Sequence, residues 1–149
     1  MRSIKAIVGE RQTITVDALT TVADAARVMA AHHIGAVPVL EGERLTGIFT
    51  ERDVLTRVVA TARDAEHTPV REVMSADLVI ADVGESYDVC LTRMQQSHVR
   101  HLIVLERGRL AGILSQRDLL RVDVDEKDEA ITMLNAYLHY IPVDQQVRT

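Results

Sequence analysis

At 149 residues and 47% hydrophobic, the chain carries enough apolar side chains for one ordinary core or two small ones that share an interface. A formal net charge of −5 and only four aromatic residues, Phe49, Tyr87, Tyr137 and Tyr140, argue against a surface that neutralises phosphates or stacks bases, so no nucleic-acid partner is expected. The single cysteine, Cys90, excludes an internal disulfide, and the absence of a secretory leader or of a run of roughly 20 apolar residues predicts a cytoplasmic protein without membrane insertion.

In chain order, Ile4-Lys5-Ala6-Ile7-Val8 predicts a short helical lead-in, and Thr13-Ile14-Thr15-Val16 a strand of β-branched residues. Thr21-Val22-Ala23-Asp24 has the pattern of a helix start, after which Val22, Ala25, Ala26, Met29 and His33 fall on one helical face. Ala36 to Leu40 predicts a buried strand. Within it Pro38 has no N–H for a ladder, which implies an edge or an interrupted pairing. A turn at Gly42 leads to a returning strand, Leu45 to Phe49. Thr50-Glu51-Arg52-Asp53 is a second capping box, and Val54, Leu55, Val58, Val59 and Ala62 predict the buried face of its helix. The polar stretch from Ala62 to Thr68 reads as a linker.

The chain then repeats itself. Val39-Leu40-Glu41, Arg44-Leu45, Gly47-Ile48 and Arg52-Asp53 recur 65 residues later as Val104-Leu105-Glu106, Arg109-Leu110, Gly112-Ile113 and Arg117-Asp118, without a gap. Two such units predict a pseudo-symmetric pair rather than a solenoid. Units of about 60 residues are marginal alone, so the halves are expected to support each other. Thr68-Pro69 restarts the lead-in over Val70 to Met74, with Thr68 as the expected N-cap. Tyr87, Cys90, Leu91, Met94 and His98 preserve the helical stripe, and Leu102 to Leu105 and Leu110 to Leu114 flank a turn at Arg107-Gly108. Ser115 opens a closing helix whose period blurs over Arg121-Val122-Asp123-Val124, so an early end or a bend is expected. The tail is expected to be a separate helix, with Ile131, Leu134, Leu138 and Ile141 on one face behind the acidic turn Asp125 to Glu129.

This order of elements, duplicated, resembles a pair of cystathionine-beta-synthase (CBS) domains. The resemblance is carried by His33-Ile34-Gly35-Ala36-Val37-Pro38-Val39 with Gly47-Ile48-Phe49-Thr50-Glu51-Arg52-Asp53, and by His98-Val99-Arg100-His101-Leu102-Ile103-Val104 with Gly112-Ile113-Leu114-Ser115-Gln116-Arg117-Asp118. It implies an α/β (α+β) fold of two pseudo-symmetric β-α-β-β-α domains packed sheet to sheet, residues 1–64 and 65–122, followed by a tail with an amphipathic helix, residues 123–149. It further implies a regulatory module that binds AMP, ADP, ATP or S-adenosylmethionine between its domains, commonly dimerises, and signals to an effector protein in trans. The chain departs from the family pattern at Ile103, where a proline is usual, and at the irregular first strand Ala76 to Ala81.

By that resemblance, Asp53 and Asp118 would accept hydrogen bonds from the ribose hydroxyls. Thr50 and Ser115, at helix starts, would face the phosphate or the ribose edge. Adenine would lie among Ile14, Ala36 and Val37 in one cleft, or Val79 and Leu102 in the other. Arg100 and His101 stand where the first copy has Gly35 and Ala36, so the second copy's cleft is expected to hold phosphate, with Arg117 in support.

The same boxes also serve as helix caps, and caps alone would account for them in a ligand-free structural or dimerisation module. The histidines do not have metal-site spacing: His32 and His33 are adjacent and diverge on a helix, and no cysteine pair supports them. No nucleophile with a base and oxyanion donors is nominated, so no enzyme activity is expected.

Overall fold

A computed structural model describes residues 1–140, so Ile141, assigned above to the tail helix, lies outside it. The elements are α1 (Ile4–Val8), β1 (Val16–Asp17), α2 (Val22–His32), β2 (Ala36–Glu41), β3 (Arg44–Thr50) and α3 (Glu51–Asp53), then β4 (Ile80–Asp82), α4 (Tyr87–Ser97), β5 (His101–Glu106), β6 (Arg109–Ser115) and α5 (Gln116–His139). They form two sheets of three strands, ordered β1-β2-β3 and β4-β5-β6. Each pairs its first strand parallel to the second and its last antiparallel.

Alternation along β2 and β5 divides the side chains between two layers. Val37, Val39, Leu102 and Val104 face the helices and fill the two main cores, whereas Ala36, Ile48 and Ile103 meet in a third cluster where the sheets pack together. The sheet-to-sheet architecture expected above is the one observed.

The halves also exchange their lead-ins. α1 places Ile4 and Val8 in the core of the second half, while Val70 and Val73, in and just after a 3-10 turn (Val70–Glu72), enter the core of the first. The backbone ties are matched: Ile4 and Lys5 N–H donate to Glu85 and Val83 O, and Val70 and Arg71 N–H donate to Thr20 and Ala18 O. Each core is therefore completed by the other copy's sequence. The glycines shared by the repeats mark where the exchanged segments cross. A Cβ on Gly47 would lie 2.5 Å from Met74 Sδ and 3.0 Å from Ser75 O, and one on Gly112 would lie 2.9 Å from Val8 Cγ1.

Four expectations need correction. β1 is confined to Val16–Asp17, because β2 pairs with it only from Val39 onward, past the residue that lacks an N–H, Pro38. Pro38 thus sits in a central strand at an interruption. At the matching position Ile103 N–H donates to Val79 O at 2.9 Å, and β4 is a residue longer. Thr68 does not cap the second lead-in; its hydroxyl donates to Asp64 O at 2.6 Å, and Pro69 occupies the N-cap.

The helix after Thr50 continues past Asp53 as a π-helical segment (Val54–Val59) that buries Val58 but leaves Leu55 and Val59 63% and 65% exposed. Only the row facing the sheet is covered, and Leu55 and Val59 lie on the adjacent row. Finally, the closing helix does not end at Arg121, and the tail is not separate from it: α5 runs 24 residues without a break. The blurred period is a change of face, from buried Leu119 and Val122 to an exposed row further along. The acidic stretch is held by specific partners. Asp123 accepts from Tyr87 Oη at 3.0 Å and from Lys127 Nζ at 2.7 Å, and Glu126 accepts from Arg2 N–H at 2.7 Å.

Candidate functional site

A hollow of about 1050 Å³ lies between the halves on the side of the second capping box. It draws Arg11, Gln12, Thr13 and Ile14 from the segment before β1, His33 to Ala36 from the α2–β2 junction, and Glu51 from α3. The opposite wall is Arg100, His101, Ile113 and the first three turns of α5. A smaller hollow, about 590 Å³, is lined only by residues 106–111 around the β5–β6 turn and brings no opposed elements together.

Local bonds set this wall. Gln116 N–H donates to Arg100 O at 2.8 Å, which fixes the start of α5 against the residue preceding β5. Ser115 Oγ accepts from Asp118 N–H at 3.1 Å, and Asp118 Oδ2 accepts from Ser115 N–H at 2.8 Å, closing a capping box. Asp118 Oδ1 receives no hydrogen bond among the described residues, and the side chain lines the cleft. Capping has used one oxygen and left the other open.

The first box is built alike but spent differently. Asp53 is 4% exposed; its Oδ2 accepts from the Thr50 N–H at 3.0 Å and hydroxyl at 3.1 Å, and its Oδ1 accepts from Ser75 Oγ at 3.1 Å. Arg57 Nε lies 3.7 Å from the same oxygen. Ser75 is brought there by an isolated bridge to Ile48, with N–H···O distances of 2.9 Å in both directions. The chain leaving the second lead-in therefore covers Asp53. The chain leaving the first instead forms a wall of the open cleft with residues 11–14, tied by Thr13 Oγ1 to Ala111 O at 3.2 Å.

Of the residues nominated from sequence, Ser115, Asp118, Arg100, His101, Arg117, Ile14 and Ala36 converge on this one cleft. Thr50 and Asp53 do not line it, and neither do Val79, Val37 and Leu102. Val37 and Leu102 are fully buried on the helix side of their strands, because one step along a strand reverses the face. Nor do the helix starts offer a full set of free N–H groups, since those of Gln116 and Asp118 are already engaged. His33, Glu51, Arg11 and Arg121 were missed. Arg121 was legible, three residues after Asp118 on the same helical face; Arg11 and His33 carry no local signal.

Arg11, Arg100, Arg117 and Arg121 all border the cleft, and none is in an ion pair among the described residues. Glu51, Asp118 and Asp125 are the acidic side chains there. Burial lowers the pKa of His101, against the upward pull of Glu51 and Asp118 and with a smaller lowering from Arg100. The imidazole is thus neutral near pH 7 and poised to gain a proton if an anion enters. Among the described residues no three His, Cys, Asp or Glu side chains gather as a metal site, and no helix is long and apolar enough to cross a membrane.

Two matched α/β halves that exchange lead-ins and open a cleft beside a helix-capping aspartate define a tandem pair of α/β domains. The family model for the CBS domain matches residues 4–60 and 70–125, and the chain belongs to the CBS domain family. It is 38% identical over 108 residues to CBS domain-containing protein YhcV of Bacillus subtilis, covering 72% of this chain and 76% of that one. It superimposes on a CBS-domain containing protein from Agrobacterium tumefaciens with a TM-score of 0.76 and 30% identity, over 82% of this chain and 99% of the other. Two solved structures at 23% identity share the fold. One is a CBS domain protein from Pyrobaculum aerophilum complexed with AMP, with a TM-score of 0.71 over 79% of this chain and 89% of that one. The other is the CBS domain pair of protein MJ0100 in complex with 5′-methylthioadenosine and S-adenosyl-L-methionine, with a TM-score of 0.73 over 84% and 98%.

Proposed function

We propose that this chain is a regulatory module that binds an adenine nucleotide or another adenosyl compound in the Asp118 cleft and passes the binding event to an effector protein in trans. The observation that carries the reading is the contrast between the two boxes: Asp118 keeps an unengaged oxygen toward a cleft bordered by four arginines, while Asp53 is covered and fully bonded. Asp118 accepts from the ribose hydroxyls, Arg100, Arg117 and Arg121 hold phosphate, and the base lies against Ile14, Ile34, Ala36 and Ile113. The AMP, S-adenosylmethionine and methylthioadenosine bound by the two distant folds share the adenosine portion, which supports that class of ligand. The reading assigns no catalysis. Coupling to an effector requires that the ligand favour one of two arrangements.

A homodimer is part of this proposal, supported by exposed Leu55 and Val59 and by the apolar row along α5. The test is a thermal-shift and calorimetric panel of AMP, ADP, ATP and S-adenosylmethionine, in which a ligand at 100 times its Kd adds about 2.7 kcal/mol to stability. A stabilising ligand whose effect is lost in Asp118→Ala supports the assignment. No shift with any of the four at millimolar concentration favours the ligand-free structural module instead.

A further inference from the structure

The last strand of each half turns one backbone donor and acceptor away from its own sheet. In the first half Ile48 N–H donates to Ser75 O, and Ile48 O accepts from Ser75 N–H, both at 2.9 Å. Ile113 holds the matching position on β6, opposite Ile103 as Ile48 is opposite Pro38. Ile103 spends its N–H on Val79 O, on the far side from β6, so Ile103 and Ile113 form the wide kind of antiparallel pair and do not bond each other. Ile113 therefore directs its N–H and C=O to the outer edge of β6, where neither has a hydrogen-bond partner among the described residues. The chain that would match Ser75 turns away at Gly9, whose φ of 58° and ψ of −147° suit glycine, and returns to this edge at Ala111 O through Thr13 Oγ1. Ile113 lines the same cleft as Asp118.

We propose that this edge reads the base of the ligand: Ile113 C=O accepts from the amino group of adenine, and Ile113 N–H donates to the ring nitrogen beside it. The inference rests on the adenosyl reading and deepens it, from a class of ligand to the group that selects one base. Adenine carries a donor next to an acceptor on both of its polar edges. A donor next to an acceptor is also what Ser75 presents to the matching pair in the first half. Hypoxanthine and guanine have an oxygen in place of the amino group, which sets two acceptors against each other at Ile113 C=O. With the ribose held at Asp118 and the phosphates at the arginines, the base is not free to turn over and restore the match. Ile14, Ile34 and Ala36 offer apolar surface to any purine, and the side-chain amides of Gln12 and Gln116 rotate to suit either order of donor and acceptor. Selection therefore falls to a backbone pair whose order is fixed by the strand.

The test follows amide hydrogen exchange by NMR on the full chain, beside calorimetric affinities for AMP and ATP against IMP and ITP. In the free protein the Ile113 amide is expected to exchange fast and the Ile48 amide slowly, and saturating AMP or ATP slows Ile113 while leaving Ile48 unchanged. IMP and ITP are expected to bind about tenfold more weakly than their adenine counterparts, or weaker still. Ile113→Pro deletes an N–H that the ladder does not use, and is expected to lower AMP affinity by about two- to tenfold and to narrow the gap to IMP. Ile113→Val trims the side chain but keeps the N–H, so any affinity it loses is lost alike for AMP and IMP. An Ile113 amide as protected as Ile48 in the free chain, or one that stays fast under saturating nucleotide, overturns the assignment, as do equal affinities for AMP and IMP. Those outcomes leave adenosyl binding intact, whereas no binding of AMP or ATP overturns the adenosyl reading and this assignment with it. The exchange and IMP measurements use the unmodified chain, so they decide the matter even where the proline variant does not fold.

Discussion

The Ser75 hydroxyl donates to Asp53 Oδ1 at 3.1 Å, closing the carboxylate that the first repeat would otherwise turn toward a ligand. Asp118 has no equivalent donor among the described residues. The segment after α1 instead runs on into Arg11 to Ile14, which wall the open cleft. Two boxes with the same spacing thus have different fates because of what crosses them.

The two aspartates are therefore expected to separate binding from stability. Asp118→Ala removes a charge-assisted acceptor worth about 1.5–3 kcal/mol, so adenosyl affinity falls roughly 10- to 100-fold or more, while stability of the free protein falls by only about 0.5–1.5 kcal/mol through the lost Ser115 N–H bond. Asp53→Ala strips an acceptor from the Thr50 N–H and hydroxyl and from Ser75. It is expected to cost about 1–3 kcal/mol of stability while leaving affinity near that of the unmodified chain. Isothermal calorimetry beside thermal melts checks both; equal losses of affinity in the two variants would contradict the asymmetry.

pH offers a second handle through His101. Burial depresses its folded pKa below the ordinary histidine value, so in the free protein the unfolded chain binds more protons as pH falls through about 6.5. The contribution of His101 to stability is intact above that pH and is lost as pH falls toward the folded pKa. An anion in the cleft acts in the opposite sense, favouring imidazolium, so nucleotide affinity is expected to rise as pH falls toward the folded pKa of His101, with proton uptake on binding. Calorimetry in buffers of different ionisation enthalpy measures that uptake, and His101→Gln is expected to abolish it.

The shared glycines make a packing prediction. Gly47→Ala meets both Met74 and the backbone carbonyl of Ser75, whereas Gly112→Ala meets only the end of the Val8 side chain. The first is expected to cost about 1–3 kcal/mol and the second less, because a valine side chain can shift where a bridged carbonyl cannot. Denaturant midpoints rank the two, and the reverse order would show that the exchanged segments yield differently.

Ile103 supplies a direct comparison between repeats. Ile103→Pro removes the N–H that donates to Val79 O and is expected to cost about 1–3 kcal/mol by leaving that acceptor unpaired. Ile103→Val is the control for volume, at about 0.5–1.5 kcal/mol. Chemical denaturation distinguishes them, and equal losses would mean that the ladder bond contributes little.

Much of the fold was legible because repetition and periodicity are local. The duplicated Gly-hydrophobic and Arg-Asp pairs revealed two units, and the alternation around Val37 and Leu102 placed each hairpin. The same alternation, applied more strictly, would have removed Val37 and Leu102 from the list of cleft residues, since their neighbours Ala36 and His101 take the open face. Leu55 and Val59 were misread because a wide apolar stripe shows that a helix has a face to cover, not how many of its rows the sheet reaches.

The candidate site was legible only in part. Ser115 and Asp118, with Arg100 and His101, could be named because each pair lies close together in sequence. Arg11 and His33 reach the cleft from other elements, and nothing in their neighbours announces it. The exposed row along α5 was legible at Ile131, Leu134 and Leu138, while the blurred period at Arg121 hid its start at Leu120 and Val124. A core stripe and a second exposed stripe overlap there, and only the packing of Leu119 and Val122 separates them.

By itself the sequence determined the duplication, the element order and the two capping boxes, all of which follow from side chains within a few residues of each other. Tertiary structure decided which box stays open. The lead-ins cross between the halves, and the chain leaving each one either seals an aspartate, as Ser75 does Asp53, or stands back and walls a cleft, as Thr13 and Ile14 do beside Asp118. That outcome depends on contacts between segments distant in sequence, which no spacing within either repeat encodes.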